Sequence, residues 1–101
     1  MKLLLITAIA EFGKEVKQIL KNAQVQNYSF QEVVGYRNAT QDALNSNWFG
    51  TEMNENESIM FYAFVDKENV DSVCDAVTEF NSKQQSQSHI HTVILNIEKS
   101  N

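Results

Sequence analysis

The sequence predicts an α+β domain in which two helices cover one face of a four-stranded antiparallel sheet. Short apolar runs that suit β-strands alternate with two segments whose apolar residues recur at helical spacing. These elements follow one another in the order β-α-β-β-α-β. Hydrophobic residues make up 43% of the chain and charged residues 21%, as is typical of globular proteins, and 101 residues suit a single domain over residues 1–101.

The first half of the chain predicts a strand, a helix and a second strand. Lys2 to Ala8 is almost continuously apolar, as expected of a strand that lies centrally in a sheet. Between Glu11 and Gln24 the apolar residues fall on one helical stripe. Its members are Phe12, Val16, Ile19, Leu20 and Ala23. Tyr28 to Tyr36 is rich in aromatic and β-branched residues and predicts the second strand, in which Gly35 allows a bulge or a close backbone approach.

The second half predicts a long loop, a strand, a helix and a last strand. Residues 37–58 lack periodicity, and a connection longer than about 15 residues is usually functional or disordered. Ile59 to Val65 is uniformly apolar and predicts an internal strand. Asp66 is expected to cap the second helix, which ends in the polar run 81–88, and His89 to Glu98 predicts the fourth strand. This order of elements is that of a ferredoxin-like sandwich.

Charge and composition argue against several classes of protein. Eight basic and thirteen acidic residues give a net charge of −5, and no cluster of Lys or Arg is apparent in the sequence, so we expect no nucleic-acid partner. Cys74 is the single cysteine, which excludes an intramolecular disulfide and favours a cytoplasmic protein. The apolar run at the start is shorter than a secretory signal, and no segment is long enough to insert into a membrane.

Two segments resemble the PII family of signalling proteins. In FQEVVGYR, the residues Glu32, Val33, Gly35 and Tyr36 match the Glu-Val-x-Gly-aromatic segment that leads into the protruding T-loop of PII proteins. The junction 66–70 (DKENV) is similar to the family's acidic cap before a valine-led helix. The chain is therefore identified as a divergent PII-like protein over nearly its whole length. The resemblance implies a homotrimer with ligand clefts between subunits and a T-loop, here 37–58, that engages a protein partner such as a membrane transporter or regulator.

The chain departs from the PII pattern where that family binds phosphate. The connection before the last strand is glycine-rich and basic in PII proteins, whereas residues 81–88 contain no glycine and Lys83 is their sole cation. Glycine lets backbone amides approach phosphate, and cations offset its charge. ATP binding in the usual PII manner is therefore not expected, and the identity of the ligand stays open. Gly35 and Lys83 are the two candidate cleft residues.

The predicted loop contains the chain's only tryptophan, Trp48, followed by Phe49. The aromatic pair either plugs the loop against its own or a neighbouring subunit, or serves as an anchor for a partner or ligand cleft. Gly50 permits a sharp turn after the pair, and Glu52 begins an acidic stretch that suits a basic partner or a cation. With Arg37 at the start of the loop, these residues form the candidate ligand- or partner-binding loop.

His89 and His91 are the candidate metal ligands. They lie two apart on a predicted strand and so share a face, about 6.6–6.8 Å apart along it. A closed site needs about three or four donors, which a loop Glu, Met53 or another subunit would have to supply. The alternative function is accordingly a metal-binding accessory protein of cation homeostasis or efflux, CutA-like or efflux-associated PII-like. Otherwise the histidines begin an edge strand or line a subunit contact.

The sequence does not predict an enzyme. It contains no nucleophile elbow and no glycine-rich phosphate loop. Cys74 lies on the apolar stripe of the second helix, where a free cysteine behaves as a small hydrophobic residue. A non-enzymatic regulatory protein is therefore the function that the sequence favours.

Overall fold

The computed structural model of the protein describes residues 1–36, 55–85 and 88–101. Along the chain it has β1 (Lys2–Ile9), a 3-10 turn (Ala10–Phe12), α1 (Gly13–Asn22), β2 (Ser29–Tyr36), β3 (Glu55–Val65), α2 (Lys67–Ser82) and β4 (His91–Asn96). The predicted β-α-β-β-α-β order and α+β class are confirmed. No helix in these described ranges is long and apolar enough to cross a membrane.

The four strands form one antiparallel sheet in the order β2-β3-β1-β4. The two most apolar strands, β1 and β3, are central, as their composition predicted. They pair along the whole length of β1, from Lys2 opposite Val65 to Ile9 opposite Ser58. On its other side β1 pairs with β4, with Thr7 opposite His91.

Both helices pack on the same face of the sheet, which we call the covered face. Alternate residues of the central strands point to it, and they form one buried cluster with the apolar stripes of α1 and α2. The strand members of this cluster are Leu4, Ile6, Ala8, Ile59, Phe61, Ala63 and Val65. Each large side chain buried in this way contributes roughly 1.5–3 kcal/mol to the free energy of folding.

The ends of the helices lie close to neighbouring elements. α1 begins at Gly13, where a Cβ atom would be only 3.3 Å from Ile59 Cδ1, so the helix start lies close to β3. Asp66 occupies the predicted N-cap position of α2, but its side chain makes no capping hydrogen bond. Instead its carbonyl oxygen accepts hydrogen bonds from the backbone N–H groups of Asn69 and Val70, both at 3.1 Å.

Several predicted boundaries differ from the structure by one or more residues, and two of them bear on the candidate site. β3 begins at Glu55, so residues 55–58 belong to a strand and not to the predicted loop 37–58. The polar sequence of these four residues does not predict a strand. Their strand conformation depends on backbone pairing with β2. β4 begins at His91, two residues later than predicted.

Candidate functional site

The β2–β3 pair extends beyond the end of β1 as a two-stranded ribbon. β1 stops pairing with β3 at Ser58, whereas the β2–β3 register continues for three more pairs. These are Val34 with Glu57, Gly35 with Asn56, and Tyr36 with Glu55. The strands on either side of residues 37–54 are thus joined to each other beyond the sheet, and we call this region the ribbon.

Gly35 lies in a regular part of the ribbon. The register passes through it without an extra residue, so of the two features that Gly35 allowed, a bulge or a close backbone approach, the bulge is absent at this position. No glycine among the described residues has a positive φ. Gly35 is buried, while its neighbours Val34 and Tyr36 are 72% and 65% exposed. The ribbon therefore presents two large side chains to solvent close to the segment that contains the candidate loop residues.

A polar cluster lies where the ribbon joins the sheet. Thr7 is directly opposite His91 across β1 and β4, and Ser58 is diagonal to Thr7 across β1 and β3. These three residues, the root cluster, point to the sheet face opposite the helices. Thr7 is 2% exposed and Ser58 is fully buried. Ser58 Oγ has no hydrogen-bond partner in the described ranges 1–36, 55–85 and 88–101, and such an orphan hydroxyl costs about 1–3 kcal/mol.

The connection into β4 is fixed by an asparagine that the sequence did not single out. Asn81 Nδ2 donates to the carbonyl oxygen of Ile90 at 2.8 Å, and Asn81 Oδ1 accepts from the N–H of Ile90 at 2.8 Å. Ile90 is itself buried. This two-point contact holds the residue between the two histidines against the last turn of α2. No sequence pattern could have identified it, because the contact depends on how α2 packs beside β4.

The two histidines do not share a strand. His91 begins β4 and belongs to the root cluster, whereas His89 precedes the strand and is half-buried. Among the described residues no group of three His, Cys, Asp or Glu side chains could hold a metal. A metal site on this pair therefore requires further ligands from outside the described residues or from another copy of the chain.

Lys83 lies directly after α2 and is engaged by a carboxylate one turn earlier. Its Nζ atom is 2.9 Å from Glu79 Oε1, and both side chains are exposed. An exposed ion pair of this kind contributes at most about 1 kcal/mol, so an anionic ligand can compete for Lys83. Its assignment as a cleft residue is still a prediction. The candidate loop residues lie outside the described part of the chain: Arg37, Trp48, Phe49, Gly50 and Glu52.

The sheet face opposite the helices, which we call the open face, is apolar. Its rows follow from the strand register and contain Leu3, Leu5, Met60, Tyr62, Phe64, Val93 and Leu95. Phe64 is 63% exposed, and Tyr62 and Leu95 are also exposed. Exposed apolar side chains grouped on one face are typical of an interaction site. The sequence indicated apolar strands but did not indicate which of their two faces is uncovered.

Comparison with known proteins identifies a shared fold. No protein-family model and no curated protein matches the sequence. Among solved structures, the chain is similar to CPII, a nitrogen regulatory PII-like protein from Thiomonas intermedia K12, in a structure with bound ADP, AMP and bicarbonate. The match covers 97% of this chain and 94% of that chain, with a TM-score of 0.61 and 17% sequence identity. The predicted resemblance is confirmed at this level: the chain has the ferredoxin-like fold of a PII-like protein.

Proposed function

We propose that the chain is a non-enzymatic, cytoplasmic, PII-like regulatory protein. It assembles as a homotrimer, and residues 37–58 report the state of a bound ligand to a protein partner such as a membrane transporter or regulator. The principal support is the position of the root cluster, which lies where the ribbon that leads to residues 37–54 joins the sheet. A ligand at that position would act on the base of the candidate reporter loop.

The open face supports self-association. Burying an aromatic ring such as Phe64 removes about 150–250 Å² of surface from contact with water. Each Å² of apolar surface buried in this way contributes roughly 25 cal/mol of favourable free energy. Several neighbouring side chains on the same face would contribute in the same way. The same face of a second copy would cover this surface with apolar side chains. Self-association therefore buries the face without a different protein.

The root cluster supports a small polar ligand. Ser58 Oγ is buried with no partner among the described residues, and a ligand oxygen or nitrogen would remove the cost of that orphan group. CPII is bound to ADP, AMP and bicarbonate, which makes these three compounds the first to test. We expect ATP to bind weakly in the usual PII manner, because residues 81–88 provide neither glycine nor a second cation.

Trp48 fluorescence tests the proposal directly, since it is the only tryptophan. We expect ADP, AMP or bicarbonate to raise the thermal unfolding temperature and to change the acrylamide quenching of Trp48. A Thr7→Val variant, which keeps the side-chain shape but removes the hydroxyl, should weaken both responses. A Trp48→Phe variant should retain the thermal shift and lose only the fluorescence signal.

Two results would contradict the proposal. If a compound stabilises the protein but leaves Trp48 quenching unchanged, the segment 37–58 does not report ligand state. If none of the three compounds stabilises the protein at millimolar concentration, the root cluster is not a site for the ligands found on CPII.

A double variant Trp48→Ala, Phe49→Ala is expected to fold and assemble like the wild type. Failure to fold would place the aromatic pair in the core.

A further inference from the structure

A groove beside α1 is lined by three lysines. Lys17 follows Lys14 by three residues and Lys21 follows Lys17 by four, so the three lysines share one side of the helix. The connection from α1 to β2 forms the opposite wall, with Gln26 and Tyr28. The volume is about 570 Å³, within the range of about 300–1,000 Å³ typical of small-molecule sites. We call this the lysine groove; the sequence alone had indicated no cluster of basic residues.

The lysine groove is positively charged in a chain of opposite net charge. It holds three of the eight basic residues, and no Asp or Glu lines it. Within residues 1–36, 55–85 and 88–101 the ion pair is that of Lys83 with Glu79, and none of the three groove lysines forms one with an Asp or Glu of these ranges. The carbonyl end of α1 carries roughly half a negative charge near Lys21, which leaves most of the positive charge uncompensated.

One cation of the groove is held in place before any ligand binds. Lys17 Nζ lies 4.4 Å from the centroid of the Phe30 ring. That ring packs at 5.3 Å from the ring of Phe61, which is buried in the core. Contact with an aromatic face restricts the long lysine side chain, and this lowers the entropy that binding would cost.

The far wall of the groove is fixed by the end of α1. Gln24 has a φ of 64°, a left-handed conformation that favours glycine. Its N–H donates to the carbonyl oxygen of Lys21 at 3.0 Å, and the N–H of Val25 donates to that of Leu20 at 2.9 Å. Because Val25 is buried, the turn is anchored in the core and directs the following residues along the groove.

We propose that the lysine groove binds an oligophosphate group. Lysine ammonium groups bind phosphate oxygens as point charges. Carboxylates favour arginine, whose planar guanidinium forms two parallel hydrogen bonds with them, and none of the described residues that line the groove is an arginine. Seven residues of helix separate Lys14 from Lys21 by about 10.5 Å along the axis. A single phosphate would contact all three cations only if the long lysine side chains converged on it. A row of phosphates, on a free small molecule or on a lipid headgroup, can do so.

The groove is independent of the site proposed above. It lies on the helix side of the sheet, so it would stay accessible if the open face is covered by other copies. It also lies on a different face of the sheet from the root cluster. Loss of oligophosphate binding and loss of the Trp48 response can therefore be measured separately.

Calorimetric titration with inorganic tripolyphosphate tests the proposal. A Lys14→Gln, Lys21→Gln variant is compared with a Lys67→Gln, Lys99→Gln control, which removes the same charge from two exposed lysines elsewhere. We expect the groove variant to bind at least about tenfold more weakly, while the control stays within about twofold because distant exposed charges are screened. A Lys14→Arg, Lys21→Arg variant keeps the charge and should retain binding. All four positions are exposed, so thermal unfolding of the variants should match the wild type.

Vesicles distinguish the source of the phosphate groups. Co-sedimentation is measured with phosphatidylcholine vesicles that do or do not contain a phosphatidylinositol bisphosphate. Lysine-dependent binding of tripolyphosphate alone supports a free ligand, and lysine-dependent binding of the phosphorylated vesicles supports a headgroup. Equal losses in the groove and control variants would show non-specific charge attraction and overturn the proposal. Absence of binding to both probes at millimolar phosphate would also overturn it.

Discussion

The two faces of the sheet are built from the same strands but differ in what covers them. On the covered face, Ile6 and Phe61 are each 1% exposed beneath the helices, whereas on the open face Phe64 is 63% exposed. Successive strand residues alternate between the faces, so the run Leu3-Leu4-Leu5 supplies apolar side chains to both. The central strands therefore carry more apolar surface than the two helices can cover. A second layer from outside the chain would account for it.

The largest effect is expected on the covered face. Phe61→Ala should lower the free energy of unfolding by about 3–5 kcal/mol, because it leaves a cavity under both helices and removes the ring contacts with Tyr28 and Phe30. That is a large share of the roughly 5–15 kcal/mol that stabilises a typical domain. Urea denaturation followed by circular dichroism gives the value. A loss below about 1 kcal/mol would show that Phe61 is not central to packing.

On the open face, substitution should affect assembly more than folding. Phe64→Ser is expected to weaken self-association by at least about tenfold, with under about 1 kcal/mol lost from the stability of the monomer. Phe30→Ser is the matched control, because Phe30 is also exposed but points to the helix side. Size-exclusion chromatography with light scattering, over a concentration series, measures the self-association of both variants. A wild-type protein that is monomeric at micromolar concentration, or equal dissociation of the two variants, would contradict assignment of the open face to assembly.

The smallest effect is expected at Ser58, which is fully buried although it points to the open side. Ser58→Ala should raise the free energy of unfolding by about 1 kcal/mol, because it removes an orphan hydroxyl. Ser82→Ala is the control, since Ser82 Oγ donates to the carbonyl oxygen of Glu79 at 2.7 Å and its removal should be neutral or slightly destabilising. Chemical denaturation compares them. If Ser58→Ala destabilises the protein, its hydroxyl has a favourable role in the unliganded state.

The candidate site was less predictable than the fold. Gly35 and His91 could be proposed as candidates from the sequence because each belongs to a short local pattern, a strand end and a spaced pair. Thr7 and Ser58 were not, because they lie 51 residues apart and meet only through the β1–β3 register. The lysines of α1 were overlooked for a related reason. Their spacing is helical, but the groove exists only where the connection to β2 turns back beside them.

Sequence patterns were sufficient to predict the order of elements, the apolar stripes of both helices and the central position of β1 and β3. These follow from local periodicity, which depends on residues three, four or two positions apart. Three other features became apparent from the folded chain alone: the start of β3 at Glu55, the contact of Asn81 with Ile90, and the strand face that the helices do not cover. Each of these depends on pairing or packing between residues far apart in the chain. Such contacts leave no periodic signal in the sequence. A one-residue shift in strand pairing would keep the same alternation of residues along the strand but turn every side chain to the opposite face of the sheet.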